Sequence, residues 1–522
     1  MPVTVLIYNA MPKESNKSPV NLRELVELRT AERCGETFLF SEADGRSWTY
    51  GEFNTAINRA ANLLKTNGIG KGDVVSLLMP NSAEYIIAYF ACFKIGALAG
   101  PVNSLLKAEE IRYVVNNSEA KLLLRSADIS LPSRESLPTL RNVIIFDDVD
   151  TVTKGQSDEL EAVELDTSDD AIIIYTSGTT GKPKGCLLTH GNVIANARQI
   201  TEWLDFTESD RLLTIMPLFH MNAVSVTTMT PLYAGGSSVV SPKFSASKFW
   251  QIISDYRITS FGSVATMLSM LLQKYPEGVP ENLETSQLRF AMCGSAPVPA
   301  EVMKKFEETF NCPVIEGYGL SESTCRSTFN PPDKNRRAGS CGIPIGNEMA
   351  VFDEEDRPVP DGELGEIVLR GDNIFKAYFK NEEATAKAFR NGWFHTGDIG
   401  YRSPDGFFYI ADRKSDMIIR GGENIYPREI DELLFSHPAV ASAAVIGVPD
   451  ELYGEEVAAF VVLKDGAKVT GEEIMNFCRE RLADFKCPKS VHFLEDIPKG
   501  PTGKLLKREL AKMFTESVPG TK

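Results

Sequence analysis

Tyr175-Thr176-Ser177-Gly178-Thr179-Thr180-Gly181-Lys182-Pro183-Lys184-Gly185 gathers glycines, short hydroxyl side chains and two lysines into one run. Glycines permit positive φ and let successive backbone N–H groups turn inward as an anion nest, while hydroxyls and ammonium groups add donors. The preceding Ala171-Ile172-Ile173-Ile174 is apolar and β-branched, which predicts a buried strand feeding this loop. A phosphate ligand is the expectation, and the strand and clustered lysines weigh against a mere surface linker. The Walker A pattern needs four residues between its first glycine and the Gly-Lys pair, then Ser or Thr. Here only Thr179 and Thr180 intervene and Pro183 follows the lysine, so a P-loop NTPase is excluded.

The 522 residues suggest three or four domains or subdomains. Hydrophobic content of 43% and charged content of 24% are those of a globular protein. A formal charge of -16 argues against nucleic-acid or anionic-membrane partners, so anionic substrates need local positive charge such as the lysines of the run. The nine cysteines show no CxxC spacing and no histidine partners at zinc-site intervals; reduced thiols in the cytoplasm are the simplest reading. No signal peptide, lipidation signal or integral membrane segment is expected. The uncharged stretch Met221 to Pro242 is broken by Thr, Ser, Gly and Pro and reads as a buried helix, turn and strand.

From about residue 70 to 320, strand-like runs alternate with amphipathic stretches, the pattern of an α/β domain with largely parallel sheets. The distinctive loops follow Ile174, Ile215, Cys293 and Ile315, and loops at the carboxyl ends of such strands can converge on one cleft. From about 350, short strands with Asp-Gly turns predict a small β-rich subdomain. Past Asp412 comes a separate α+β unit, with helices near Pro427 to Phe435 and Glu472 to Arg481.

Further runs carry chemistry. In Glu316-Gly317-Tyr318-Gly319-Leu320-Ser321-Glu322, an aromatic between glycines can lie flat on a purine and the carboxylate suits Mg²⁺. In Thr396-Gly397-Asp398, a carboxylate at a glycine turn suits paired ribose hydroxyls. Taken alone, each is commonly just a turn.

Taken in order, with Pro217-Leu218-Phe219-His220, Gly294-Ser295-Ala296-Pro297, Asp412 to Pro427 and Pro498 to Lys504, these runs resemble the signature elements of the adenylate-forming (AMP-binding) superfamily: acyl-CoA synthetases, luciferases and peptide-synthetase adenylation domains. The resemblance implies that Thr176, Ser177, Gly178, Thr179, Thr180, Gly181 and Lys184 hold the ATP phosphates, with Lys182 nearer solvent. Glu322 would hold Mg²⁺, Ser321 a phosphate, Tyr318 between Gly317 and Gly319 the adenine, and Asp398 with Arg413 the ribose. Gly294, Ser295 and Ala296 would line the adenine and acyl pockets, with His220 near the reacting carboxylate in a catalytic, gating or lining role. Gly421 and Gly422 would border the pantetheine channel, Phe485 and Lys486 would contact the nucleotide of coenzyme A, and Lys504 would serve adenylation. The chain departs from the family at the pivot, where Ser415 replaces Asp or Lys, and at Cys487, where some relatives carry arginine.

The fold implied is α/β: a large N-terminal domain over 1–412, made of α/β sheet subdomains plus a small β-rich subdomain, then a small mobile α+β C-terminal domain over 413–522 with its hinge near Ser415. The activity implied is that of an AMP-forming acyl-CoA ligase, which makes an acyl-adenylate and pyrophosphate from ATP and a carboxylic acid and then passes the acyl group to coenzyme A. A peptide-synthetase domain is disfavoured because His220 stands where an aspartate would bind an amino group; a luciferase oxygenation site is not recognised. A sensor without turnover is opposed by Lys184, Glu322, Asp398 and Lys504. A medium-chain or carnitine-like acid is favoured, with aromatic and dicarboxylic acids as alternatives; Arg326 could meet a second carboxylate. Oligomeric state is left open, a homodimer included.

Overall fold

The structure, a computed structural model, describes residues 19–176, 182–294, 298–499 and 505–517. Ser177 to Gly181, Ser295, Ala296 and Lys504 therefore lie outside the described residues.

Two seven-stranded sheets dominate the N-terminal part. One runs in the order Val314–Glu316, Phe290–Cys293, Ser260–Ser263, Arg211–Thr214, Ser237–Val240, Thr37–Ser41, Ser47–Thr49, parallel except for its last pair. The other runs Ala377–Tyr378, Lys184–Thr189, Asp170–Thr176, Leu98–Pro101, Val74–Leu78, Leu122–Arg125, Asn142–Ile145. It is parallel from Asp170–Thr176 onward, and antiparallel pairing joins Lys184–Thr189 to its neighbours on both sides. One hydrophobic core joins the two sheets through helices such as Tyr50–Thr66 and Ala83–Lys94. Every residue of Ala83–Lys94 is buried, as expected of a helix enclosed on all sides.

A five-stranded antiparallel sheet follows, containing Glu348–Phe352, Gly365–Arg370, Trp393–Arg402, Phe389–Arg390 and Phe408–Arg413. The last sheet is built on the long pair Val440–Asp450 and Gly454–Leu463, with Ile418–Arg420, Glu423–Ile425 and Ser490–Phe493 alongside. Separate hydrophobic clusters pack its two faces. No helix among the described residues is long and apolar enough to cross a membrane.

The stretch Met221 to Pro242 reads correctly as buried helix, turn and strand, but its first two turns, Asn222–Met229, are a π-helix. The hydroxyls of Thr228 and Thr230 donate to the carbonyls five residues back, of Ala223 at 3.0 Å and Ser225 at 2.9 Å, which satisfies acceptors that a widened helix leaves loose.

Candidate active site

The glycine-rich run leaves its strand at Thr176 and re-enters an antiparallel strand at Lys184, its register partner. It therefore joins two strands of a hairpin, whereas a P-loop leads from strand to helix. The Thr176 hydroxyl donates to Oε1 of Glu322 at 3.3 Å, and Tyr378 Oη donates to the same oxygen at 3.0 Å. Lys184 Nζ lies 5.1 Å from the centre of the Tyr378 ring, while Lys182 is exposed against Tyr113. Thr176, Lys184, Glu322 and Tyr378 thus make one end of the site, and burial beside Glu322 raises the Tyr378 phenol so that it stays a donor. Tyr378 escaped the sequence reading because it sits on a short strand with no motif around it.

The other end is built on the Gly-Tyr-Gly loop. Tyr318 Oη donates to Oδ2 of Asp398 at 2.5 Å, and Arg413 Nε lies 3.1 Å from Oδ1 of the same carboxylate. Asp398 is buried, its N–H donates to Thr396 Oγ1 at 3.0 Å, and Gly397 takes the positive φ of 72° that the turn requires. Asp398 raises the pKa of Arg413, and burial, reinforced by Asp398, raises that of Tyr318. A Cβ on Gly317 would stand 2.4 Å from the Phe329 ring, and one on Gly319 only 1.8 Å from the Cys325 carbonyl oxygen, so both must be glycine.

Ser321 and Glu322 belong to a single 3-10 turn that connects the two ends. Directly after it Thr324 takes φ 64°, a strained setting for a β-branched residue that costs on the order of 1–3 kcal/mol. Its hydroxyl donates to Asn373 O at 2.7 Å, and Asn373 Nδ2 donates back to the carbonyls of Ser323 and Arg326.

These elements surround a cavity of about 1020 Å³ lined by Met216, Phe219, Tyr318, Asp398, Arg413 and Leu505, among others. Lys499 also lines it and forms an antiparallel bridge with Leu505, so both residues flanking the Lys504 loop stand at the cavity that holds Tyr318 and Asp398. His220 packs on Phe219, its Nε2 buried with no hydrogen-bond partner among the described residues and its pKa pushed down to about 4 by burial. Phe219 lines the cavity, and the centre of the His220 ring lies 4.6 Å from that of the Phe219 ring.

The expected coenzyme A residues lie elsewhere in this arrangement. Gly421 (φ 58°) and Gly422 (φ 91°) form a hairpin tip between Ile418–Arg420 and Glu423–Ile425, beside Tyr453. Phe485 and Lys486 are in a 3-10 turn, with Lys486 Nζ 2.7 Å from Glu429. Ser415 is exposed on the connection between Phe408–Arg413 and Ile418–Arg420, which belong to different sheets.

Two buried acids were not anticipated. Glu316 lines the cavity, accepts from Val298 N–H at 3.2 Å, and is pushed up to about 7 by burial. Asp431 pairs with Lys507 at 3.1 Å and is pushed up to about 6, again by burial.

The family model for AMP-binding enzymes matches residues 26–379, and that for the AMP-binding enzyme C-terminal domain matches residues 429–504. The chain belongs to the AMP-binding enzyme family. Within this adenylate-forming superfamily it falls in the acyl-CoA ligase branch. It is 35% identical to a sulfoacetate–CoA ligase of Cupriavidus necator over 94% of this chain and 97% of that one. It is 37% identical to the long-chain-fatty-acid–CoA ligase FadD13 of Mycobacterium tuberculosis over 90% and 94%. Among solved structures, the o-succinylbenzoate CoA synthetase of Bacillus subtilis in complex with its acyl-adenylate superposes with a TM-score of 0.82 at 32% identity, covering 93% of this chain and 97% of that one. The α/β N-terminal and α+β C-terminal architecture is that of the family, and the chain is an AMP-forming acid–thiol ligase.

Proposed function

We propose that this ligase works by two half-reactions over the cavity described, with the residue roles that the resemblance implies. In the first, an oxygen of the acid attacks the α-phosphorus of ATP, the bond to the β-phosphate oxygen breaks, and pyrophosphate leaves. In the second, the sulfur of coenzyme A attacks the acyl carbon and AMP leaves. A carboxylate is a poor acyl donor, and turning its oxygen into part of a phosphate leaving group removes that obstacle; closure keeps water from the adenylate.

The observation that carries this reading is the pair of clusters joined by one short loop: Tyr318, Asp398 and Arg413 at one end, Thr176, Lys184 and Glu322 at the other. Asp398 can exchange its bond from Tyr318 for ribose hydroxyls, leaving the ring to face adenine. Lys184 supplies charge to the leaving phosphates. Among the described residues, Glu322 belongs to no cluster of three or more His, Cys, Asp or Glu side chains fit to hold a metal. A lone carboxylate fits Mg²⁺, which keeps waters and shares phosphate oxygens, and the ion when bound neutralises the polyphosphate. Lys504 would stabilise charge developing at the α-phosphate without proton transfer. Burial keeps His220 neutral, which suits an acyl-lining role through Phe219.

For the second half-reaction the C-terminal sheet would turn about Ser415, carrying Gly421, Gly422, Phe485 and Lys486 to the place that the Lys499–Leu505 end holds in this structure. The domain limits 1–412 and 413–522 belong to this reading. So does a cytoplasmic setting, supported by nine unpaired cysteines, eight of them buried. Relatives named for a small sulfonated acid and for long-chain fatty acids match about equally well, so likeness does not choose the acyl group. The test is pyrophosphate release across a panel of acids with and without coenzyme A. No stimulation by any acid would overturn the ligase reading, and release without thioester would assign another acceptor.

A further inference from the structure

We infer that the acid this ligase activates carries a second anionic group, a carboxylate, bound by the Arg326 guanidinium with help from the Asn222 amide. The inference rests on the ligase reading above and specifies its substrate.

Arg326 is 2% exposed, and among the described residues its Nε and Nη2 have no hydrogen-bond partner. A guanidinium cannot shed its proton to escape burial, so a dry arginine ordinarily comes with a carboxylate. Glu316, the buried acid nearby, feels Arg428 more strongly than Arg326, and its own burial leaves it only partly ionised near neutrality. The Arg326 Cζ lies over the Phe329 ring, 5.3 Å from its centre, a contact that does not neutralise the charge.

The position of the side chain ties it to the site. The Cα of Arg326 lies directly behind Gly319 of the cavity-lining Gly-Tyr-Gly loop, 2.9 Å from where a Cβ would be. Its fork lies over Gly294, where a Cβ would stand 2.5 Å from Nη1, so only glycine admits the guanidinium there. Gly294 opens the run that the family resemblance assigns to the adenine and acyl pockets. Asn222, on the π-helix, lies over Gly262 of the adjacent strand. Its Oδ1 would be 3.0 Å from a Cβ on Gly262, and Gly262 pairs with Met292, two residues before Gly294. Both amide atoms of Asn222 are also buried without a partner among the described residues. These two unsatisfied polar groups, each over a glycine near the carboxyl ends of adjacent strands, suit a planar carboxylate, which takes paired N–H donors from a guanidinium and a further one from an amide.

The backbone holds Arg326 there. Asn196 Nδ2 donates to its carbonyl at 2.6 Å and Asn196 Oδ1 accepts from its N–H at 3.3 Å, after the strained turn at Thr324 has sent the chain inward. A cationic carnitine-like head would be repelled by the guanidinium, and a plain alkyl chain would bury it unpaired, so a short dicarboxylic acid displaces both as the expected class.

The test uses matched pairs of acids differing in the second carboxylate: malonate against propionate, succinate against butyrate, glutarate against valerate. The readout is kcat/KM for acid-dependent pyrophosphate release by the full chain. At least one diacid should exceed its monoacid counterpart by about 100-fold or more, as expected where a site's polar groups go unpaired with the wrong substrate. Arg326→Met should lower kcat/KM for that diacid by a similar factor, mainly through KM, and leave or improve the monoacid. Preference for monoacids throughout would overturn the inference, as would equal loss of both substrates in Arg326→Met. Should that variant not fold, Asn222→Leu and the wild-type comparison decide: a diacid preference weakened about 10-fold by Asn222→Leu supports the site, and no wild-type diacid preference overturns it. If no acid of any kind releases pyrophosphate, the ligase reading itself fails, a result distinct from activity confined to monoacids.

Discussion

Tyr318 and Asp398 are joined by a 2.5 Å hydrogen bond from phenol to carboxylate, which ties a loop at the edge of a seven-stranded sheet to a turn in the five-stranded one. The bond presets the ring and the acid for one nucleoside. Asp398→Ala should raise the KM for ATP by about 10- to 100-fold, the worth of a charge-assisted hydrogen bond. Tyr318→Phe keeps the ring and should change it by less than about 10-fold. Steady-state kinetics in ATP checks both, and equal effects would mean that the pair is only structural.

Lys504→Ala should lower pyrophosphate release from ATP and acid by about 100-fold or more while leaving thioester formation from preformed acyl-adenylate largely intact. The two half-reactions are assayed separately. Equal loss in both would remove Lys504 from the adenylation step.

Ser415→Pro should do the reverse. No backbone hydrogen bond from Ser415 N–H is seen among the described residues, so the loss of that donor should be tolerated, but proline fixes φ at the connection and restricts Lys414. Adenylation should persist while thioester formation falls at least about 10-fold; unchanged coenzyme A turnover would place the pivot elsewhere.

Glu316 makes stability pH-dependent in a definite direction. Burial raises its folded pKa from 4.5 to about 7, so its contribution is fully present below the unfolded value and is lost as pH rises through the folded one. At about 1.4 kcal/mol per pKa unit, the loss between pH 4.5 and 7.5 is on the order of 3 kcal/mol. Glu316→Gln should flatten the pH dependence over that window, as read by urea unfolding at several pH values, if unfolding is reversible. An unchanged slope would mean that Glu316 is already ionised at low pH.

Much of the α/β region was legible between residues 70 and 320 because buried parallel strands are written as short runs with apolar, β-branched residues, as at Val74–Leu78 and Ser237–Val240. Pairing was less so. Thr37–Ser41 joins the sheet of Val314–Glu316, and Ala377–Tyr378 joins that of Val74–Leu78, since a strand's own residues carry little record of its distant partner. The π-helix over Asn222–Met229 was equally hidden, because all eight residues are buried and small polar side chains interleave with apolar ones, which erases helical periodicity.

The chemistry of the site is local in the chain: glycines where backbone must come close, an aromatic between them, a carboxylate four residues on. Those short runs, in that order, carried the family and the reaction. What acts on what came from tertiary structure. Glu322 is bonded by Thr176, 146 residues before it, and by Tyr378, 56 residues after it. The sequence offered Arg326 as able to meet a second carboxylate, but only the fold buries its fork over Gly294, with Nε and Nη2 lacking hydrogen-bond partners among the described residues. Whether a charge is solvated or left demanding a partner depends on the whole surroundings assembled around it, and no neighbour in sequence records that.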